Sequence, residues 1–199
     1  KNMEKRWQIK TPKDISVVND FRSKLKVDAV VAELLLQRGI DSFESAENFF
    51  RPNLEDLHDP FLMTDMEKAV NRLQEAIEEN QKVMLFGDYD VDGTTGVALM
   101  YSFLKDTLHL DYYIPDRYTE GYGLSTEGID VAKKHNVELI VSLDCGIKAV
   151  DKIAYAKTLG IDFIICDHHT PGDVLPNAIV LDPKRKDCDY PYSELSGCG

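Results

Sequence analysis

At 199 residues and 43% apolar composition, the chain is long enough for one well-buried core carrying a smaller appendage. It has no apolar run near the roughly 18 residues of a bilayer span, and its charged opening, Lys1 to Lys10, lacks the apolar stretch of a signal peptide, so a cytoplasmic protein with no membrane partner is expected. The formal net charge of −12 speaks against a freestanding nucleic-acid binder, which needs a basic face to displace counterions, unless the carboxylates gather around divalent cations or a basic surface lies on segments outside these residues.

Along the chain, VDAVVAELLLQRG (Val27–Gly39) places apolar residues on one helical face and ends in glycine, and Phe43–Phe50 reads as a second short helix. Pro52 and Pro60 break the pattern between Arg51 and Leu62, which is expected to be a linker. Residues 1–62 are thus expected to form a small helical N-terminal appendage. Thr64 followed by Glu67 reads as a capping box opening a helix that runs to about Gln81.

The rhythm then changes, and short apolar runs alternate with helical segments. Strands are predicted at Val83–Gly87, Leu110–Ile114, Glu138–Leu143, Asp162–Cys166 and Ala178–Leu181, and helices at Thr94–Leu108, Thr126–His135 and Ile147–Leu159. The fold class expected for 63–199 is α/β, a mostly parallel sheet with helices on both faces. The four cysteines, Cys145, Cys166, Cys188 and Cys198, form no CxxC pair and are expected as reduced thiols.

Ligands of such sheets bind beyond the carboxyl ends of the strands, and acids stand at three of those ends. The first strand runs into Asp88-Tyr89-Asp90-Val91-Asp92-Gly93, the third into Asp144-Cys145-Gly146, and the fourth into Asp167-His168-His169. Five carboxylates and two imidazoles converging on one rim repel one another unless a cation compensates. Oxygen and imidazole nitrogen together suit Mn²⁺, Zn²⁺ or Fe²⁺, and carboxylates with water suit Mg²⁺. More than four donors point to two ions and to phosphoester hydrolysis. Taken singly, each piece has a plainer reading: an Asp after a strand is often a helix cap, and Asp-Gly is a common turn. A calcium EF-hand loop fails, because position 12 counted from Asp88 is Leu99 rather than glutamate.

Arg117 and TEGYGLS (Thr119–Ser125) follow the second strand and bring a cation, glycines and hydroxyls to the same rim, with Arg117, Tyr122 and Gly123 as candidate substrate contacts. A loop ion pair with turn glycines is the alternative. Lys184, Arg185 and Lys186 are equally compatible with a phosphate-backbone contact and with a solvated basic turn.

The ordered set Asp-x-Asp-x-Asp-Gly, Asp-Cys-Gly and Asp167-His168-His169 resembles the signature of the DHH phosphoesterases. The wording GDYDVDGTT (Gly87–Thr95), PDRYTEGYGLS (Pro115–Ser125), VSLDCGI (Val141–Ile147), CDHHTPG (Cys166–Gly172) and ELSGCG (Glu194–Gly199) is similar to the branch that degrades single-stranded DNA. The resemblance implies 5′→3′ removal of nucleotides from single-stranded DNA in recombination and repair, with Mn²⁺ or Mg²⁺ as cofactor. It also implies Asp90, Asp92, Asp144 and His168 as metal ligands, with Asp88 beside them as ligand or support. Asp167 and His169 would orient ligands or contact the scissile phosphate, and Arg117 would meet a substrate phosphate.

Members of that branch continue past the SGCG segment into a further liganding aspartate, a DHHA1-type domain and an oligonucleotide-binding fold. The 199-residue piece alone is therefore expected to bind metal weakly and cleave poorly. Rival readings are a family phosphodiesterase acting on short oligonucleotides or cyclic dinucleotides, a non-catalytic module of the same fold, and a phosphorylation-receiver domain. The intact carboxylates and histidines argue against the second, and the histidine pair has no use in the third.

Overall fold

The computed structural model describes residues 6, 8, 10 and 13–199. Most of the charged opening, read above as no signal peptide, lies outside the described residues. Among the described residues no helix is long and apolar enough to cross a membrane, and all four cysteines are free thiols. The chain falls into two compact units, Lys1–Leu57 and His58–Gly199. Ten basic and ten acidic residues share the first unit, so the whole negative excess belongs to the second.

The first unit contains α1 (Ile15–Leu25), α2 (Ala29–Gln37) and α3 (Phe43–Phe50). Sequence periodicity predicts the latter two and misses α1, which opens where the Asp14 side chain accepts from the Ser16 amide at 2.7 Å. Val18 and Phe21 of α1 pack with Ala32, Leu35, Leu36 and Ala46. Burial of that kind contributes roughly 1.5–3 kcal/mol per large side chain. α3 is held at its start by a reciprocal cap, each of Ser42 and Ser45 accepting from the other's amide.

The second unit comprises α4 (Met66–Glu78), β1 (Lys82–Gly87), α5 (Val91–Leu104), β2 (His109–Tyr113), α6 (Thr126–Lys134), β3 (Leu139–Leu143), α7 (Val150–Thr158), β4 (Asp162–Cys166) and β5 (Ile179–Leu181). The five strands are all parallel in the order β2-β1-β3-β4-β5. Alternate residues of each strand serve opposite faces. Met84, Phe86, Ile140 and Ile165 pack with Ile129 and Ala132 of α6 and Ile153 and Ala156 of α7. Val83, Leu85, Val141 and Ile164 pack with Ala69 and Ala76 of α4 and Val97 and Leu104 of α5. The α/β class with both faces covered is as expected, and a parallel sheet buried on both sides explains the near-continuous apolar runs.

Three helix starts differ from the sequence reading, that of α7 lying at Val150 rather than at Ile147. The expected Thr64–Glu67 capping box does not form: the cap position is Asp65, in a left-handed conformation at φ 69°, and the Thr64 hydroxyl donates to the Asp187 carbonyl at 2.9 Å. α5 begins at Val91 rather than Thr94, because the Asp90 side chain caps it by accepting from the Asp92 and Gly93 amides.

The basic turn after β5 is resolved by burial. The Arg185 guanidinium pairs with Asp65 and Asp187, both at 2.7 Å, and also donates to the Val180 carbonyl. It ties the turn to the cap of α4 and is not free to hold a phosphate. Removing one partner of a buried pair strands the other's charge, so Arg185→Ala is expected to lower stability by about 3 kcal/mol. Urea denaturation checks this; a loss below about 1 kcal/mol would mean that the network is energetically idle.

Candidate metal centre

Because every strand runs the same way, the loops after β1, β2, β3, β4 and β5 meet at one edge of the sheet. Asp88, directly after β1, is fully buried; its Oδ1 accepts from the Gly123 amide at 3.4 Å, and its Oδ2 has no hydrogen-bond partner. Asp90 caps α5 and is exposed. Asp92, one turn into the helix, accepts from the Gly197 amide at 2.7 Å and the Cys198 amide at 2.8 Å. Burial favours its neutral form, but these two amides outweigh that and hold Asp92 below the usual carboxylate range.

Asp144 ends β3 in a left-handed conformation at φ 62° and is 1% exposed. Its Oδ1 faces the His168 Nε2 at 3.0 Å, yet forms no hydrogen bond with it. The same ring nitrogen is 3.6 Å from Asp92 Oδ2. Burial, then the neighbouring Asp92 and Asp90 charges, push the Asp144 carboxyl up to about 7.

Asp167 works differently, since all of its acceptor capacity is engaged. Oδ2 accepts from the Ile147 amide at 2.9 Å; Oδ1 accepts from the His168 and His169 amides at 2.8 and 3.2 Å and lies 2.7 Å from His169 Nδ1. With Nδ1 donating to Asp167, the neutral ring presents Nε2 as acceptor, and the Tyr122 hydroxyl stands 3.0 Å from that atom.

Two groups of donors lie close enough to hold an ion, their ligand atoms within 4.8 Å of one another: Asp144 with His168 and His169, and Asp88 with Asp90 and Asp144. Asp144 belongs to both. Buried carboxylate oxygens without partners are costly in any fold, and here one on Asp144 faces the His168 imidazole nitrogen without bonding to it, while another, on Asp88, belongs to the donor group that Asp88 forms with Asp90 and Asp144. This donor set fits divalent cations.

The structure thus brings Asp88, Asp90, Asp92, Asp144, Asp167, His168 and His169 to one rim. Tyr122 joins them through His169, while Gly123 turns inward, buried at φ 76°, and supports Asp88 through its amide. Arg117 is exposed, with its guanidinium 4.9 Å from the centre of the Tyr89 ring, and among the described residues it makes no ion pair. One acid escaped the sequence reading. Asp182, at the end of β5, is fully buried, has an unpartnered Oδ2, and is pushed up to about 6, chiefly by burial. Its position immediately after the last strand was the available signal, obscured by the basic residues that follow.

Residues 82–199 match the family model described as DHH family, N-terminal domain. The chain belongs to the DHH family. Among curated relatives of this DHH protein, the single-stranded-DNA-specific exonuclease RecJ of Bacillus subtilis is 41% identical over 98% of this chain and 25% of its own length. RecJ of Escherichia coli is 39% identical over 69% of this chain and 24% of its own length. The chain therefore spans about a quarter of these relatives. A crystal structure of exonuclease RecJ bound to manganese superposes with a TM-score of 0.65 at 28% identity, covering 72% of this chain and 37% of that one.

Proposed function

We propose that this chain carries the hydrolytic centre of a 5′→3′ exonuclease that acts on single-stranded DNA in recombination and repair, with two Mn²⁺ or Mg²⁺ ions as cofactors. The observation that carries the reading is the Asp144–His168 pair: an unpartnered buried carboxylate oxygen 3.0 Å from an imidazole nitrogen, with a second unpartnered oxygen on Asp88. The likeness to RecJ, named for single-stranded DNA and crystallised with manganese, supports the substrate and the metal. The polarity rests on that likeness alone.

In this reading Asp88, Asp90, Asp92, Asp144 and His168 hold the ions. When bound, the ions supply positive charge to the phosphate oxygens and make water a stronger nucleophile at neutral pH. Asp167 fixes the tautomer and direction of His169, as second partners of imidazoles do, so that Nε2 and the Tyr122 hydroxyl are available at a stated place beside the phosphate. Arg117 offers its fork of donors to a neighbouring phosphate.

Titration calorimetry with Mn²⁺ tests the reading. The parent chain is expected to bind, and an Asp144→Ala, His168→Ala double variant is expected not to. Heat unchanged by the substitutions would remove the metal from this rim.

A further inference from the structure

Two tyrosines of the rim are neither core residues nor candidate ligands. Tyr89 lies between Asp88 and Asp90, and Tyr122 projects from the loop after β2. Their rings meet edge to face at 6.2 Å and 86°, and Tyr122 meets His169 in the same way at 5.9 Å and 82°. Arg117 covers Tyr89. Tyr122 remains 55% exposed, and it walls a cavity of about 330 Å³ whose other sides include Leu124, Cys145, Ile147 and His169.

The loop that presents Tyr122 is braced before any substrate arrives. Glu120 accepts from the Asp116 amide at 2.8 Å, from the Tyr113 hydroxyl at 2.9 Å and from the Ser125 hydroxyl. A fixed aromatic ring with an open face loses little entropy when a planar partner lies on it. Beside a phosphodiester centre, the planar group within reach is the base of the adjoining nucleotide. Stacking of this kind tolerates any of the four bases, because each has a π-face. The cavity lining is mixed, with Leu124, Ile147 and Val150 supplying apolar surface and Lys148, Asp151 and Lys152 supplying charge.

We propose that Tyr122 is a stacking platform for the nucleobase next to the scissile phosphate, with Tyr89 and Arg117 holding its pitch. The inference rests on the hydrolytic reading above and adds the group that positions the substrate by its base. Tyr122 acts on the base with its ring and on His169 with its hydroxyl, two roles that separate by substitution.

The test is equilibrium binding, by fluorescence anisotropy, of a labelled oligothymidylate and of the same oligonucleotide with tetrahydrofuran abasic residues. The parent chain is expected to bind the base-bearing strand roughly 10-fold more tightly than the abasic one. Tyr122→Ala is expected to lose that difference by weakening only the base-bearing strand, and Tyr122→Phe to keep it. Equal affinity of the parent for both strands, equal weakening of both by Tyr122→Ala, or no binding of either strand would overturn the inference. Absence of Mn²⁺ binding in calorimetry would instead overturn the hydrolytic reading beneath it.

Discussion

Asp144→Asn is expected to lower Mn²⁺ affinity by more than about 100-fold, because even the partners that merely orient a ligand are worth 10–100-fold and Asp144 belongs to both donor groups at the rim. The same substitution is expected to stabilise the protein when a chelator keeps it metal-free. Burial and the Asp92 and Asp90 charges raise the Asp144 carboxyl in the folded state from 3.8 to about 7. Its folded form therefore keeps a proton that the unfolded chain releases from about pH 4 upward, and stability falls across that window until the folded group also ionises.

Asparagine has no such titration. Thermal melts in chelator should show parent and variant alike near pH 4 and the variant ahead above about pH 7. Excess Mn²⁺ narrows that gap by favouring the folded parent over the variant, adding about 2.7 kcal/mol to the parent at a hundredfold excess over its Kd. A Mn²⁺-induced rise of equal size in both proteins would exclude Asp144 as a ligand.

The parts of this site that were legible in the sequence are those fixed by local pattern. Short apolar runs marked the strands, and in a parallel sheet the residue after each run must face the ligand-binding edge, so Asp88, Asp144 and Asp167 followed from strand positions alone. What escaped depends on contacts between distant segments. Asp92 is held by amides of Gly197 and Cys198, more than a hundred residues away. Thr64 turns to Asp187 and so leaves the capping box that its spacing with Glu67 offered. α1 buries only Val18 and Phe21, too narrow a stripe to register as helical periodicity. For Arg185 the sequence left a phosphate contact and a solvated basic turn equally open, and only the fold shows it paired below the surface with Asp65.

The glycine of the Asp-Tyr-Asp-Val-Asp-Gly segment is the position where a single methyl group should do most damage. Gly93 lies in the first turn of α5, where its negative φ needs no special freedom, so the turn that Asp-Gly ordinarily marks is not its purpose. A Cβ built there would stand 2.5 Å from the Asp88 carbonyl oxygen, 2.6 Å from its amide nitrogen and 2.8 Å from its carbonyl carbon. All three are backbone atoms, so no side chain can swing aside to make room. The glycine lets the helix start rest directly on the end of β1, which is how Asp88 and Asp90 come to share one donor group across so short a segment.

Gly93→Ala must push the two apart. We expect a loss of at least about 3 kcal/mol, at the upper end for overpacking because the neighbours are rigid, together with loss of Mn²⁺ binding as Asp88 moves. Gly172→Ala is the control: its nearest neighbour would be the Val174 carbonyl at 3.8 Å, so its cost should stay within about 0.5 kcal/mol. Urea denaturation and Mn²⁺ calorimetry on both variants decide it. A Gly93→Ala protein as stable as the Gly172→Ala control, or one that binds Mn²⁺ like the parent, would mean that the helix start can lift from β1 without disturbing the rim, and that Asp88 is held by something other than this close approach.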